Sequence, residues 1–112
     1  MSLEIRNLNK RYGSLEIFRD FSISFSEGTI TCILGPSGCG KTTLLNIIGK
    51  IIPYDSGTMA GFDGKVISYI FQDPRLLPWK NVRENIEFVL DRNMAPEERK
   101  RITDRFIRLV EL

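Results

Sequence analysis

Histidine is absent from all 112 residues, and the chain holds only two cysteines and one tryptophan. Without imidazole, any chemistry here must run on other groups. The opening Met1-Ser2-Leu3-Glu4-Ile5-Arg6 lacks the apolar stretch of a secretory signal. Asn46, Gly49 and Lys50 break the longest apolar candidate, so no run approaches a membrane span. With no signal, two cysteines fit a reducing cytoplasm. A bridge between Cys32 and Cys39 would clamp a glycine-rich loop, so two free thiols are expected. No charge of one sign dominates: the net charge is +2, which argues neither for nor against a polyanionic partner. The hydrophobic share of 42% and charged share of 27% are those of an ordinary soluble domain.

What the chain does have is Gly35-Pro36-Ser37-Gly38-Cys39-Gly40-Lys41-Thr42, a G-x-x-x-x-G-K-T pattern. The apolar, β-branched run Thr29–Leu34 precedes it and reads as a buried strand, with Cys32 as a small core residue. Thr43-Leu44-Leu45-Asn46-Ile47-Ile48 follows, predicting a helix from Lys41 to Ile48 that Gly49 stops. Strand, glycine loop and helix are the context in which this pattern holds phosphate. Gly35, Gly38 and Gly40 let the backbone turn and approach a ligand. The N–H groups from about Gly38 to Thr43 gather at the positive end of the helix dipole. Lys41 then suits the terminal phosphates and the Thr42 hydroxyl suits Mg²⁺.

Around the loop, residues 2–18 read as a hairpin with a turn at Lys10-Arg11-Tyr12-Gly13-Ser14. Phe21, Ile23 and Phe25 alternate with serines as a separate antiparallel strand. Phe62-Asp63-Gly64 is a turn between two short strand candidates, the second of which, Lys65–Phe71, is apolar enough to be buried. At Asn81 the period becomes helical: Asn81 and Glu84 form a capping box, with Val82, Ile86, Val89 and Leu90 on one face. A second helix begins near Pro96 with Ile102, Phe106, Leu109 and Val110 as its stripe. Its basic residues alternate with Glu97, Glu98 and Asp104, the pattern of a solvated face rather than a nucleic-acid site.

The whole chain resembles the ATP-binding subunit of an ABC transporter. Residues 35–45 are close to that family's phosphate loop. Phe71-Gln72-Asp73-Pro74-Arg75-Leu76-Leu77-Pro78-Trp79 resembles its Q-loop, particularly in importers of nitrate, sulfonates and taurine. Asn9–Gly13 resembles the segment whose aromatic stacks on adenine, here Tyr12. The implied fold is α/β: a P-loop NTPase core fragment with an N-terminal antiparallel β subdomain over 1–28, core over 29–71, Q-loop over 72–80, and the start of a helical subdomain over 81–112. The implied cofactors are ATP and Mg²⁺. Tyr12, Gly35, Pro36, Ser37, Gly38, Cys39, Gly40, Lys41, Thr42 and Thr43 would bind nucleotide, Thr42 and Gln72 the metal, and Lys41 and Gln72 would serve catalysis. The implied partners are a membrane permease, met through Gln72–Trp79, and a second ATP-binding subunit, with no nucleic acid. The implied location is cytoplasmic, at the inner face of the membrane.

The resemblance covers only the first half of the family's domain. Gly57–Phe71 is also shorter than usual, and the Leu-Ser-Gly-Gly-Gln signature, the Asp-Glu pair and the switch histidine have no counterpart here. Phosphoryl transfer depends on positioning by several segments, so the chain by itself is expected to bind Mg-ATP and hydrolyse it negligibly. The loop's strand would lack some flanking strands, an invitation to self-association. Two alternatives are a non-catalytic nucleotide-binding or interaction fragment, and a small nucleotide kinase-like P-loop protein. A GTPase is disfavoured, because Asn9-Lys10 precedes the loop and no x-Asp follows it. A dinucleotide fold is disfavoured by the lack of G-x-G-x-x-G.

Overall fold

Leu3 and Ile5 start an inward-facing alternation that cannot continue in phase, because the next inward position would be polar Asn7. The computed structural model, which describes residues 2–112, resolves this with three register shifts along the hairpin, the first two at Asn7 and Asp20. Ser2–Tyr12 forms β1 and Leu15–Ser26 forms β2, an antiparallel hairpin with Ile5 opposite Ile23. Asn7 and Asp20 both take positive φ, 52° and 50°, a region that Asn and Asp tolerate better than most residues. The Asn7 amide group donates to Asp20 Oδ1 at 3.3 Å, and the Asn7 backbone N–H donates to Ser22 Oγ at 2.9 Å. The extra residue shifts the pleat by one, so the buried positions on β1 become Ile5, Leu8 and Lys10. The expected turn over Lys10–Ser14 narrows to Gly13-Ser14, and the separate strand expected at Phe21 is the second half of β2. The alternation of Phe21, Ile23 and Phe25 with serines holds within β2; the bulge at Asp20 is what interrupts its phase with Ile17 and Phe18.

The chain divides into two compact units, one running to Ile70 and the other Phe71–Leu112. In the first, the helix Lys41–Ile48 (α1) has the predicted bounds, with Gly49 as its C-cap. Ser56–Ala60 (β3) pairs antiparallel with β1, giving a three-stranded sheet ordered β2-β1-β3. Leu44 and Ile47, three apart and so on one helical face, join Ile5, Leu8, Phe18 and Phe62 in the core. Phe62 is in the turn predicted at 62–64, which Lys65 N–H closes onto the Phe62 carbonyl at 3.3 Å.

Two predicted strands do not form. Thr29–Leu34 and Lys65–Phe71 enter no ladder. Ile30 and Val66 are each 96% exposed and Ile70 97%. Cys32, expected in the core, is an exposed free thiol, as is Cys39. Apolar β-branched composition favours a strand only where a neighbour completes its hydrogen bonds, and no strand of the described residues runs beside these two.

In the second unit, Val82–Phe88 (α2) is shorter than its pattern suggested, and Val89 is exposed at its C-cap. The Asn81 side chain accepts from Glu84 N–H at 2.8 Å, one half of the expected box, while the Glu84 carboxylate faces Lys80 at 3.5 Å. Pro96–Leu109 (α3) starts with proline in its first turn and Glu97 and Glu98 beside it. Its buried centre is Thr103 rather than the predicted Phe106, Leu109 and Val110, which are exposed. Thr103 stays inside by donating its hydroxyl to the Arg99 carbonyl at 2.8 Å. Arg99 in turn donates to the carbonyls of Glu87 and Asp91 at 3.2 and 2.8 Å, closing the end of α2.

Candidate functional site

The glycine loop is held between the end of the β1–β2 hairpin and the start of α1. Gly40, the N-cap, has φ 104°, and a Cβ there would lie 2.8 Å from Ile17 Cγ2 and 3.2 Å from Phe18. Only glycine combines that backbone with that approach. At Gly35 a Cβ would meet Cys39 Sγ at 2.7 Å, so the loop closes on itself with the thiol packed over its first residue. The Cys39 N–H turns back to the Pro36 carbonyl at 3.3 Å.

The helix start is left electrically unanswered. The first intrahelical bond is Leu44 N–H to the Gly40 carbonyl at 2.9 Å, so the N–H groups of Lys41, Thr42 and Thr43 have no acceptor within the helix. No side chain caps α1, and no acidic residue stands in its first turn. Lys41 adds a full positive charge to the same place. Its ammonium donates to the carbonyls of Gly35 and Pro36 at 2.5 and 2.7 Å and touches Cys39 Sγ at 3.6 Å. The side chain is thereby aimed along the loop. Thr42 is exposed beside it. Free helical N–H groups, a fixed ammonium and an open hydroxyl are an arrangement whose chemistry suits phosphate oxygens.

Tyr12 falls at the same end of the first unit. Lys10 pairs with Phe18 across the hairpin and Tyr12 with Leu15, while Phe18 packs at Gly40. Tyr12 is 47% exposed. The Arg11 N–H donates to Asp55 Oδ2 at 2.8 Å, fixing that end of β1. The hairpin thus puts Tyr12 just beyond the Lys10–Phe18 pair whose Phe18 packs at Gly40. Sequence reading missed Lys10, taken as a turn residue; the cue was Asn7, a residue suited to the bulge that carries Lys10 inward.

Gln72 belongs to the second unit, exposed in a bend rather than at the end of the predicted strand. Leu76, Pro78 and Trp79 are exposed, while Leu77, read as exposed with them, is half-buried. Asn85, overlooked in the sequence, organises this stretch: its carboxamide accepts from Leu77 N–H at 2.8 Å and donates to the carbonyls of Leu77, Lys80 and Asn81 at 3.2, 3.1 and 2.9 Å. An amide amid the apolar positions of a short helix was the available signal. Beside the turn, Leu76, Leu77, Ile86, Val89, Phe106 and Val110 line a groove of about 680 Å³. Among the described residues no cluster of three or more His, Cys, Asp or Glu could hold a metal.

A family model described as ABC transporter matches residues 18–112. The taurine import ATP-binding protein TauB of Escherichia coli O157:H7 is 40% identical over 95 residues, 79% of this chain and 37% of that protein. The aliphatic sulfonates import ATP-binding protein SsuB 2 of Burkholderia cenocepacia (strain HI2424) is 40% identical over 93 residues, 77% of this chain and 34% of that protein. The chain therefore spans little more than a third of the length of these relatives.

Proposed function

Because the chain belongs to the ABC transporter family, we propose that it is the ATP-binding part of a subunit that drives import of a small organic anion. The observation that carries the reading is the uncapped, acid-free start of α1 with Lys41 fixed over it. A triphosphate would satisfy the N–H groups of Lys41, Thr42 and Thr43 at once, and the Lys41 ammonium would exchange its weak sulfur contact for a phosphate oxygen. Mg²⁺ fits this donor set as a passenger of the nucleotide. It favours phosphate oxygens and water with few protein ligands, and Thr42 offers one hydroxyl. When bound, the metal would neutralise charge between the outer phosphates. Tyr12 would stack on adenine, a contact typically worth ~1–3 kcal/mol.

The solute class comes from the taurine and sulfonate importers that this chain is similar to. Gln72 would contact the metal or the attacking water, a role that rests on resemblance. Gln72–Trp79, with apolar surface exposed at Leu76 and Trp79, would meet a permease, since exposed apolar patches mark interaction sites. A second ATP-binding subunit would complete the active pair. The proposed setting is the cytoplasmic face of the membrane; no helix of the described residues is long and apolar enough to cross one.

Taken by itself the chain binds Mg-ATP and hydrolyses it negligibly, since these 112 residues include no histidine and no signature sequence. Titration calorimetry with Mg-ATP on wild type and Lys41→Ala tests the binding. Heat for the wild type and none for the variant is expected; equal heats would contradict the loop's role. Steady phosphate release that Lys41→Ala abolishes would contradict the claim of inactivity.

A further inference from the structure

The inward face of β1 runs Ile5, Leu8, Lys10 and then Tyr12, and one of the four is a cation. Lys10 is only 7% exposed. No carboxylate of the described residues stands within ion-pair distance of it. Its ammonium lies 4.9 Å from the centroid of the Tyr12 ring. The buried part of the residue is its stem, and packing the stem alone does not require the head to lie over an aromatic ring. Here the head is turned to the π-face of a tyrosine, where the ring quadrupole attracts it.

We propose that Lys10 is a positioning residue for base recognition: its ammonium occupies one face of the Tyr12 ring and presents the other face to the nucleobase. The proposal rests on the reading of Tyr12 as the adenine platform. The bulge at Asn7 is what makes it possible, because it shifts the pleat and carries Lys10 inward onto Tyr12's side of the strand. The cation fixes the ring's rotamer before the base arrives, so less side-chain freedom is lost on binding. It also draws electron density toward itself, leaving a less repulsive face for a second π-system.

The test compares two probes, Mg-ATP and inorganic tripolyphosphate with Mg²⁺, the second offering phosphates without a base. Affinities are measured for wild type, Lys10→Met, Lys10→Arg, Tyr12→Ala and the double variant Lys10→Met/Tyr12→Ala. Lys10→Met is expected to weaken Mg-ATP about 3- to 30-fold, the span of a cation–π contact between exposed and desolvated settings. Tripolyphosphate binding stays unchanged, which also shows the loop is folded. Lys10→Arg keeps most of the affinity, and Lys10→Met adds nothing once Tyr12 is alanine. Equal weakening of both probes would make Lys10 a phosphate contact and overturn the proposal. So would a Lys10→Met effect that persists without Tyr12. If Lys10→Met is silent while Tyr12→Ala selectively weakens Mg-ATP, this inference fails and the stacking reading survives. If Tyr12→Ala leaves Mg-ATP affinity intact, the stacking reading fails and takes this inference with it. A wild type that binds neither probe overturns the nucleotide site as a whole.

Discussion

The two sides of the phosphate loop make an instructive pair. After it, α1 is formed and closed at its C-terminal end by Gly49, with Leu44 and Ile47 buried against the sheet. Before it, Thr29–Leu34 is equally apolar yet unpaired, with Ile30 open to solvent. The difference lies in where each element finds its hydrogen bonds. A helix closes its ladder within itself and needs only one apolar face covered. A strand needs another strand on at least one side, and a parallel strand lacks even the tight hairpin that gives an antiparallel one a local partner. The hairpin β1–β2 forms for that reason, and the run before the loop does not.

The largest effect that would sharpen this contrast is Ile47→Ala, which should cost about 2–5 kcal/mol as a buried truncation next to the loop. Urea unfolding measures it, and a loss under 1 kcal/mol would mean α1 is not docked as described. Gly40→Ala should come next, at about 1–3 kcal/mol for a non-glycine side chain forced into this left-handed backbone. Its additional collision with Ile17 and Phe18 should weaken tripolyphosphate binding as well. Ile30→Thr, on the other side, should change stability by no more than about 0.5 kcal/mol, since it removes an exposed group. Ile33 of this run already packs against the core, so a large loss at Ile30 would break the comparison by showing that its exposed side is covered as well.

The smallest expected effect lies between α2 and α3. Arg83 donates to Asp104 Oδ1 at 2.6 Å, and that hydrogen bond holds the Asp104 carboxyl below its ordinary value of 3.8. A lowered folded-state value contributes stability that is full above the unfolded value and is lost as pH falls through the folded one. Arg83→Met should therefore lower stability slightly at neutral pH, where the contribution is full, and not at all once pH is below the folded value, so the acid-side decline flattens; the loss is small because both groups are solvent-screened. A clear loss at pH 7 would make the pair more than a surface bridge.

Local signals in the sequence were read correctly where the physics is local. The bounds of α1, the Asn81 cap, the proline start of α3 and the 62–64 turn each depend on residues a few positions apart. The loop's glycines were legible for the same reason, and the structure added why Gly40 and Gly35 are required. What could not be read depends on partners distant in the chain. The paired bulges at Asn7 and Asp20 sit 13 residues apart, and the first of them shifts the phase of β1 after Ile5. Lys10 became inward-facing through them, and Tyr12 came to the loop's end of the sheet. Composition made Thr29–Leu34 and Lys65–Phe71 look like core strands, but burial is decided by neighbours that composition does not name. Asn85 shows the converse: one side chain replaces a missing backbone ladder for the turn from Leu77 to Asn81.

Native-state hydrogen exchange on the full 112-residue chain reads both sides of the loop in one experiment. The Leu44 and Gly49 amides, bonded to the carbonyls of Gly40 and Leu45, should exchange slowly along with the β1–β2 ladder, while the amides of Ile30 to Leu34 should exchange near the rate of unstructured chain. Protection of Ile30–Leu34 comparable to that of α1 would show the run to be paired, and would contradict the claim that the helix side of the loop stands formed while the strand side does not.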